Sequence, residues 1–232
     1  MLLISLFKLC CMAGFYSLLY DPIKQILNKN KTFFKCHQNK KNYIIKNFIK
    51  TSSMFYIFLV FLKIIMFYGI NNFFNNQIIR NYGAIYVGND LGGLIMVKNL
   101  PKSTKFHHIV SVILYSIVSY FDVEEYDIVK MIAVYTVFSF IPYSVNCFLA
   151  MRFFITKEDT KLNYYIDMNR IIAKYTYLFT CMCNWAIHLH FLYEKIINYQ
   201  LTLYHIMYFT FLIPIVNDDI VLLKWLNKKY VL

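Results

Sequence analysis

The chain has 232 residues, of which 59% are hydrophobic and 16% charged, and 24 Lys and Arg against 12 Asp and Glu give a formal charge of +12. That composition does not suit a soluble surface and predicts a membrane protein. It also argues against a nucleic-acid binder, because the basic residues punctuate long apolar runs instead of gathering on one water-facing surface.

Residues 2 to 20 form an apolar run with no basic leader, ending at Tyr20-Asp21-Pro22 rather than at small residues suited to cleavage. It reads as a retained first span. From Lys24 to Lys50 the chain turns polar, with eight lysines, and reads as a long basic loop. Residues 1–41 are therefore expected to hold the first transmembrane helix and a basic cytosolic loop, and 42–232 a multi-span membrane domain.

Further apolar segments lie at 52–70, 83–97, 106–121, 129–151, 171–193 and 201–223. Most are long enough to cross roughly 30 Å of hydrocarbon at about 1.5 Å per residue. The expected fold is all-α, a polytopic transmembrane helix bundle of about seven spans. The third segment is short and carries Gly83, Gly88, Gly92, Gly93 and Asp90, which suits a helix packed inside a bundle rather than one facing lipid.

Charge alternates between the loops. Lys and Arg number eight in the first loop, three at Lys98, Lys102 and Lys105, five at Arg152, Lys157, Lys161, Arg170 and Lys174, and three at Lys224, Lys228 and Lys229. These are 19 of the 24 basic residues, all on one side of a seven-span arrangement. The opposite loops hold Arg80, then the acidic set Asp122, Glu124, Glu125 and Asp127 before Lys130, then Glu194 and Lys195. The positive-inside rule gives a lumenal N-terminus and a cytosolic C-terminus. An A+T-rich codon bias can raise lysine and asparagine content, but it does not make them alternate.

There is no internal repeat, no separate soluble domain, and no phosphate-cradling glycine motif, since Gly88 to Gly93 lacks the spacing and context. The six cysteines, Cys10, Cys11, Cys36, Cys147, Cys181 and Cys183, form no CxxC pair and read as small apolar filler. The 43 Phe and Tyr residues read as packing, lipid contact and interface belt.

Several polar residues converge on the cytosolic half of the expected bundle. His107 and His108 enter the fourth span there, Asn146 and Arg152 leave the fifth, and Asn217, Asp218 and Asp219 sit near the end of the seventh. Asp90 is expected roughly two helical turns or less below the histidines, reaching His108 only if the third helix is shifted or broken. A histidine in a partly dry pocket can take or give a proton near neutral pH or act as a nucleophile, and a carboxylate behind it fixes its tautomer. Consecutive helical residues point about 100° apart, so one imidazole meets substrate while the other orients a partner. His107, His108 and Asp90 are thus the catalytic candidates, with Asn146, Arg152 and Asp218 for substrate binding. The plainer alternative makes the histidines interfacial residues, with Asp90 paired to a snorkelling lysine. His188 and His190 diverge on a helix and read as interface histidines, so no metal site is expected.

The order Asp90, then Phe106-His107-His108-Ile109-Val110, then Pro142-Tyr143-Ser144-Val145-Asn146 with Leu149 and Arg152-Phe153-Phe154, resembles the TLC domain family over about residue 42 to the C-terminus. That family includes ceramide synthases and translocon-associated and lipid-handling relatives. The resemblance implies a helical bundle around a lipid-accessible cavity, in the endoplasmic reticulum or a related endomembrane, and connects the chain with sphingolipid metabolism. Two departures stand against a ceramide synthase. The further His-Asp set of those enzymes has no counterpart in Tyr135 to Asn146, and Ser52-Ser53 occupy the place of a second-span histidine. The resemblance therefore implies first a lipid-binding protein of lipid homeostasis or membrane composition. The alternative is an acyltransferase with acyl-CoA as co-substrate and His107-His108 at its centre, and a further one is a partner in secretory-protein handling. No other cofactor is expected. The expected partner is membrane lipid, with a second copy or another membrane protein beside it.

The N-x-[ST] sequon Asn30-Lys31-Thr32 lies in the basic first stretch, which the charge pattern places in the cytosol. It is expected to stay unglycosylated in eukaryotic microsomes, and a glycan on Asn30, seen as a glycosidase-sensitive shift on a gel, would overturn the orientation. The tail Lys228-Lys229-Tyr230-Val231-Leu232 would then be cytosolic, although Tyr230 breaks a dilysine spacing.

Overall fold

The computed structural model describes residues 2–69, 74–156 and 158–228. Residue 70 of the second apolar segment, Lys157 of the fifth-to-sixth connection, and the tail from Lys229 lie outside them. The described residues form ten α-helices and no strand: α1 (Leu2–Leu18), α2 (Tyr20–Leu27), α3 (Lys31–Phe34), α4 (Gln38–Tyr68), α5 (Asn76–Met96), α6 (Lys102–Tyr120), α7 (Asp127–Phe140), α8 (Ser144–Met151), α9 (Thr160–Ile197) and α10 (Leu203–Asn227). Every apolar segment of the sequence falls on one or two of these helices.

Three stretches are long and apolar enough to cross a membrane, Leu2–Leu27, Gln38–Tyr68 and Leu203–Asn227, and α7 with α8 makes a fourth if the two are one bent span. The all-helical expectation holds, while three or four such spans among the described residues fall short of the seven expected. Large apolar side chains such as Met66, Phe179, Leu189 and Ile213 point outward. A surface of this kind is compatible with lipid contact.

Several boundaries differ from the sequence reading, each for a local reason. The basic stretch from Lys24 to Lys50 is largely helix. Asn30 caps α3 by accepting from the Thr32 and Phe33 amides, and His37 accepts from the Asn39 amide at the start of α4. The boundary at 41/42 falls within the first turns of α4. The third segment is a full 21 residues and is unbroken, because Asn75 caps it at Gln77 well before the apolar run begins. The fifth segment is two helices: Pro142 has no amide hydrogen to give, and α7 and α8 meet there with a bend of 46°. Helix α9 has 38 residues, so Lys161, Arg170 and Lys174 ride on it rather than on a loop.

Helix ends are tied by side chains from their neighbours. Buried Arg80 of α5 donates to the Val118 and Phe121 carbonyls at the end of α6. Arg170 of α9 donates to the Leu226 carbonyl at the end of α10. Asn42 of α4 donates to the Met96 carbonyl at the end of α5. Each bond satisfies carbonyls that a helix terminus leaves unpaired, and the arginines also place positive charge at the negative end of a helix dipole. Helix α5 lies close against α1, where a Cβ on Gly88 would stand 2.7 Å from the Met12 Cβ, so a glycine is needed for the approach.

Candidate functional site

The site starts from a register between α4 and α5. Asn42, Lys46 and Lys50 recur every four residues and share one face of α4. They meet Met96, Gly93 and Asp90 of antiparallel α5: Asn42 bonds the Met96 carbonyl, the Lys46 stem lies over Gly93, and Lys50 Nζ is 2.5 Å from Asp90 Oδ1. A side chain at Gly93 would collide with the Lys46 stem, 2.9 Å from its Cε. The glycine makes room for the lysine.

Helix α6 completes the cluster. His108 Nδ1 lies 3.1 Å from Asp90 Oδ1, and its Nε2 is 2.9 Å from Lys46 Nζ. An ammonium can only donate, so Nε2 of His108 accepts and Nδ1 carries the hydrogen that faces Asp90. Asp90 is fully buried, and Lys46, Lys50 and His108 nearly so. The contact needs no break in α5. Asp90 lies six residues before the end of α5 and His108 six residues after the start of α6, so both sit about 9 Å into their helices.

His107 points elsewhere, its ring 5.7 Å from that of His108 and nearly perpendicular to it. Its Nδ1 is 3.4 Å from Asp218 Oδ2, and Thr104 donates to the other oxygen of Asp218 at 3.2 Å. No hydrogen bond to its Nε2 is found among the described residues. The adjacent Asp219, turned by one residue on α10, accepts from Tyr177 at 2.6 Å, Tyr135 at 2.7 Å and Trp185 at 3.4 Å.

These groups surround a narrow cavity of about 80 Å³ whose walls carry much of the buried charge. Lys46, Lys50, His107, His108, Asn146, Asp218 and Asp219 all line it. A second, mostly apolar chamber of about 50 Å³ adjoins, lined by Ile57, Ile79, Leu114, Val118, Ile132 and Phe140 among others. Tyr86, His107, Tyr135 and Ser139 belong to both walls.

Of the residues that the sequence singled out, His107, His108, Asn146 and Asp218 share the first cavity. Asp90 does not face it but lies behind His108 and Lys50, which makes it a positioning residue rather than one that touches a ligand. Asn146 donates to the Met54 sulfur at 3.2 Å. Arg152 is outside the cavity: its guanidinium lies over the Tyr43, Phe153 and Trp225 rings, in a shallow recess whose walls Tyr43 and Trp225 also line the cavity. His188 and His190 diverge as expected, the first buried between the Asn184 carbonyl and the Tyr208 hydroxyl, the second exposed beside Glu194.

The sequence reading does not single out Lys46 or Lys50, and it places Asp219 with the converging polar residues without giving it a role. A signal for the lysines existed, the four-residue spacing of Asn42, Lys46 and Lys50 just ahead of an apolar run, but it was submerged in a lysine-rich stretch. Asp90, His107 and His108 bring ligand atoms within 4.8 Å of one another, the spacing of a loose metal group. Two of the three are already engaged by ammonium groups, and a dication would add positive charge beside Lys46 and Lys50. The donor set fits a metal poorly. Comparison of the chain with family models, curated proteins and solved structures finds no match.

The geometry sets the expected outcome of a substitution at Asp90. Leucine there would strand the buried Lys50 charge, so Asp90→Leu is expected to destabilise the purified protein by about 3–5 kcal/mol. Adding Lys50→Met should recover much of that loss. Thermal unfolding of both variants in one detergent checks this, and equal loss in the single and double variants would contradict it.

Proposed function

We propose that the chain is a multi-pass membrane protein that binds a lipid within its helix bundle and serves lipid homeostasis or membrane composition. The carrying observation is the pair of adjoining chambers, one lined by charged side chains among apolar ones and one mostly apolar, with Tyr86, His107, Tyr135 and Ser139 in their common wall. An amphiphile has the same division. Its head group finds donors and charges in the first chamber and its chain finds aliphatic walls in the second. The TLC-like order of Asp90, the histidine pair and the Pro142-to-Arg152 segment supports this reading, as does the outward apolar surface. With it go seven spans, a lumenal N-terminus and an endoplasmic reticulum or related membrane, proposed on the alternation of basic loops.

The second reading, a lipid acyltransferase, is favoured by the open Nε2 of His107 with Asp218 behind its Nδ1. In that chemistry His107 takes the proton from an amine or hydroxyl as it attacks the thioester carbon of acyl-CoA. The new C–N or C–O bond forms, the C–S bond breaks, and the leaving thiolate recovers the proton from the imidazolium. Asp218 stabilises the charged imidazole between these steps. His108 is held between Lys46 and Asp90 and does not do this work.

Replacing His107 with alanine is expected to remove co-purifying lipid, measured by mass spectrometry of the solubilised protein, while membrane insertion is unchanged. If the second reading holds, the same variant loses about 10²- to 10⁴-fold in acyl transfer to a long-chain amine. Asp218→Asn should be milder, since the amide keeps part of the hydrogen bonding. Wild-type lipid content and cellular lipid profiles in both variants would overturn the proposal.

A further inference from the structure

The charges in the first cavity do not all cancel locally, and the ones left over lie on different helices. Lys50 is matched by Asp90, and Asp218 by His107 when the imidazole is protonated. The Lys46 ammonium contacts only the accepting nitrogen of His108; Asp90 and Asp218 lie near it without touching, and it makes no ion pair among the described residues. Asp219 has only neutral donors, two tyrosine hydroxyls and an indole, and likewise makes no ion pair among the described residues. Both residues are about 95% buried, and both line the cavity. Lys46 belongs to α4 and Asp219 to α10, which packs on α6 and α9 and not extensively on α4.

A buried ammonium and a buried carboxylate without counter-ions are each costly, and each is stabilised by a ligand charge of opposite sign. Two hydroxyls and an indole occupy three of the roughly four lone-pair sites of Asp219 without cancelling its charge. Tyr135 and Tyr177 line the cavity beside Asp219, so an organic ammonium there would meet aromatic as well as carboxylate groups. We propose that the cavity takes a zwitterionic head group, a phosphate toward Lys46 and an ammonium toward Asp219, of the phosphoethanolamine or phosphocholine type. This rests on the lipid-binding reading above and narrows it. A purely anionic head group would leave Asp219 facing like charge, and an uncharged one would leave both charges unmatched.

The test is native mass spectrometry of the full-length protein reconstituted with an equimolar mixture of dioleoyl phosphatidylethanolamine, phosphatidylcholine, phosphatidylglycerol, diacylglycerol and a cationic trimethylammonium lipid. Wild type is expected to retain the zwitterionic lipids over phosphatidylglycerol and diacylglycerol by about tenfold or more. Asp219→Asn should bring phosphatidylglycerol level with phosphatidylethanolamine, and Asp219→Glu should restore the preference. Lys46→Gln should shift retention from both phospholipid classes toward the cationic lipid. These opposite shifts do not follow from mere unfolding, which lowers all lipids together and shows as aggregation on size exclusion. Millimolar soluble phosphoethanolamine separates two sources of the same chemistry. Displacement of the lipid means that the head group suffices, and retention means that the chains belong to the ligand. Lipid bound by wild type without head-group preference, or variants that keep the wild-type ratios, would overturn this inference alone. Wild type that holds no lipid would overturn the lipid-binding reading beneath it.

Discussion

A carboxylate held among two lysines and a histidine sets the arrangement of the interior. Asp90 accepts from Lys50 and faces the Nδ1 hydrogen of His108, whose other nitrogen accepts from Lys46, so three helices meet through one residue of α5. Within apolar surroundings, removing either Asp90 or Lys50 alone leaves the other charge unpaired, and removing His108 takes away the acceptor that Lys46 meets. That coupling fixes the registers of α4, α5 and α6 together. It also turns His107, the next residue along α6, toward Asp218 and the cavity.

This division of labour separates holding from binding. His108 and Asp90 are used up in holding the helices, and His107 with Asp218, Lys46 and Asp219 is what a ligand would meet. The histidine pair therefore does two jobs, as expected of neighbours about 100° apart on a helix. Under the proposed function, the cluster behind the wall keeps the chamber open and charged while the apolar chamber beside it takes the chain. The recess at Arg152, sharing Tyr43 and Trp225 with the cavity, lies where the basic ends of α4, α8 and α10 come together.

Much of the helix pattern was legible because long apolar runs interrupted by charge leave little else for the backbone to do. Less legible were the places where polar sequence is helical. Asn30, His37 and Asn75 each begin a helix ahead of its apolar run, and a lysine-rich stretch conceals that Lys46 and Lys50 face inward. The level of Asp90 is hidden for the same reason. The apolar run at 106 hid a helix that starts after Pro101, and Pro101 was itself a start signal. Pro142 was visible as a breaker, yet it was read through as one span. Asp219 stood in view beside Asp218, but its partners Tyr135, Tyr177 and Trp185 come from distant positions in an aromatic-rich chain, and no spacing in the sequence connects them.

Under the proposed function, a lipid chain occupies the interior beside His107 rather than only the outer surface. The most direct measurement is photo-crosslinking in membranes with a phospholipid that carries a diazirine midway along one acyl chain, followed by peptide mapping. The account predicts adducts on the inward residues of α6 and α7, such as Leu114 and Ile132, that diminish when Ile132 is enlarged to Trp to fill the chamber. Adducts confined to outward residues such as Phe179 and Leu189, unchanged by that substitution, would contradict it.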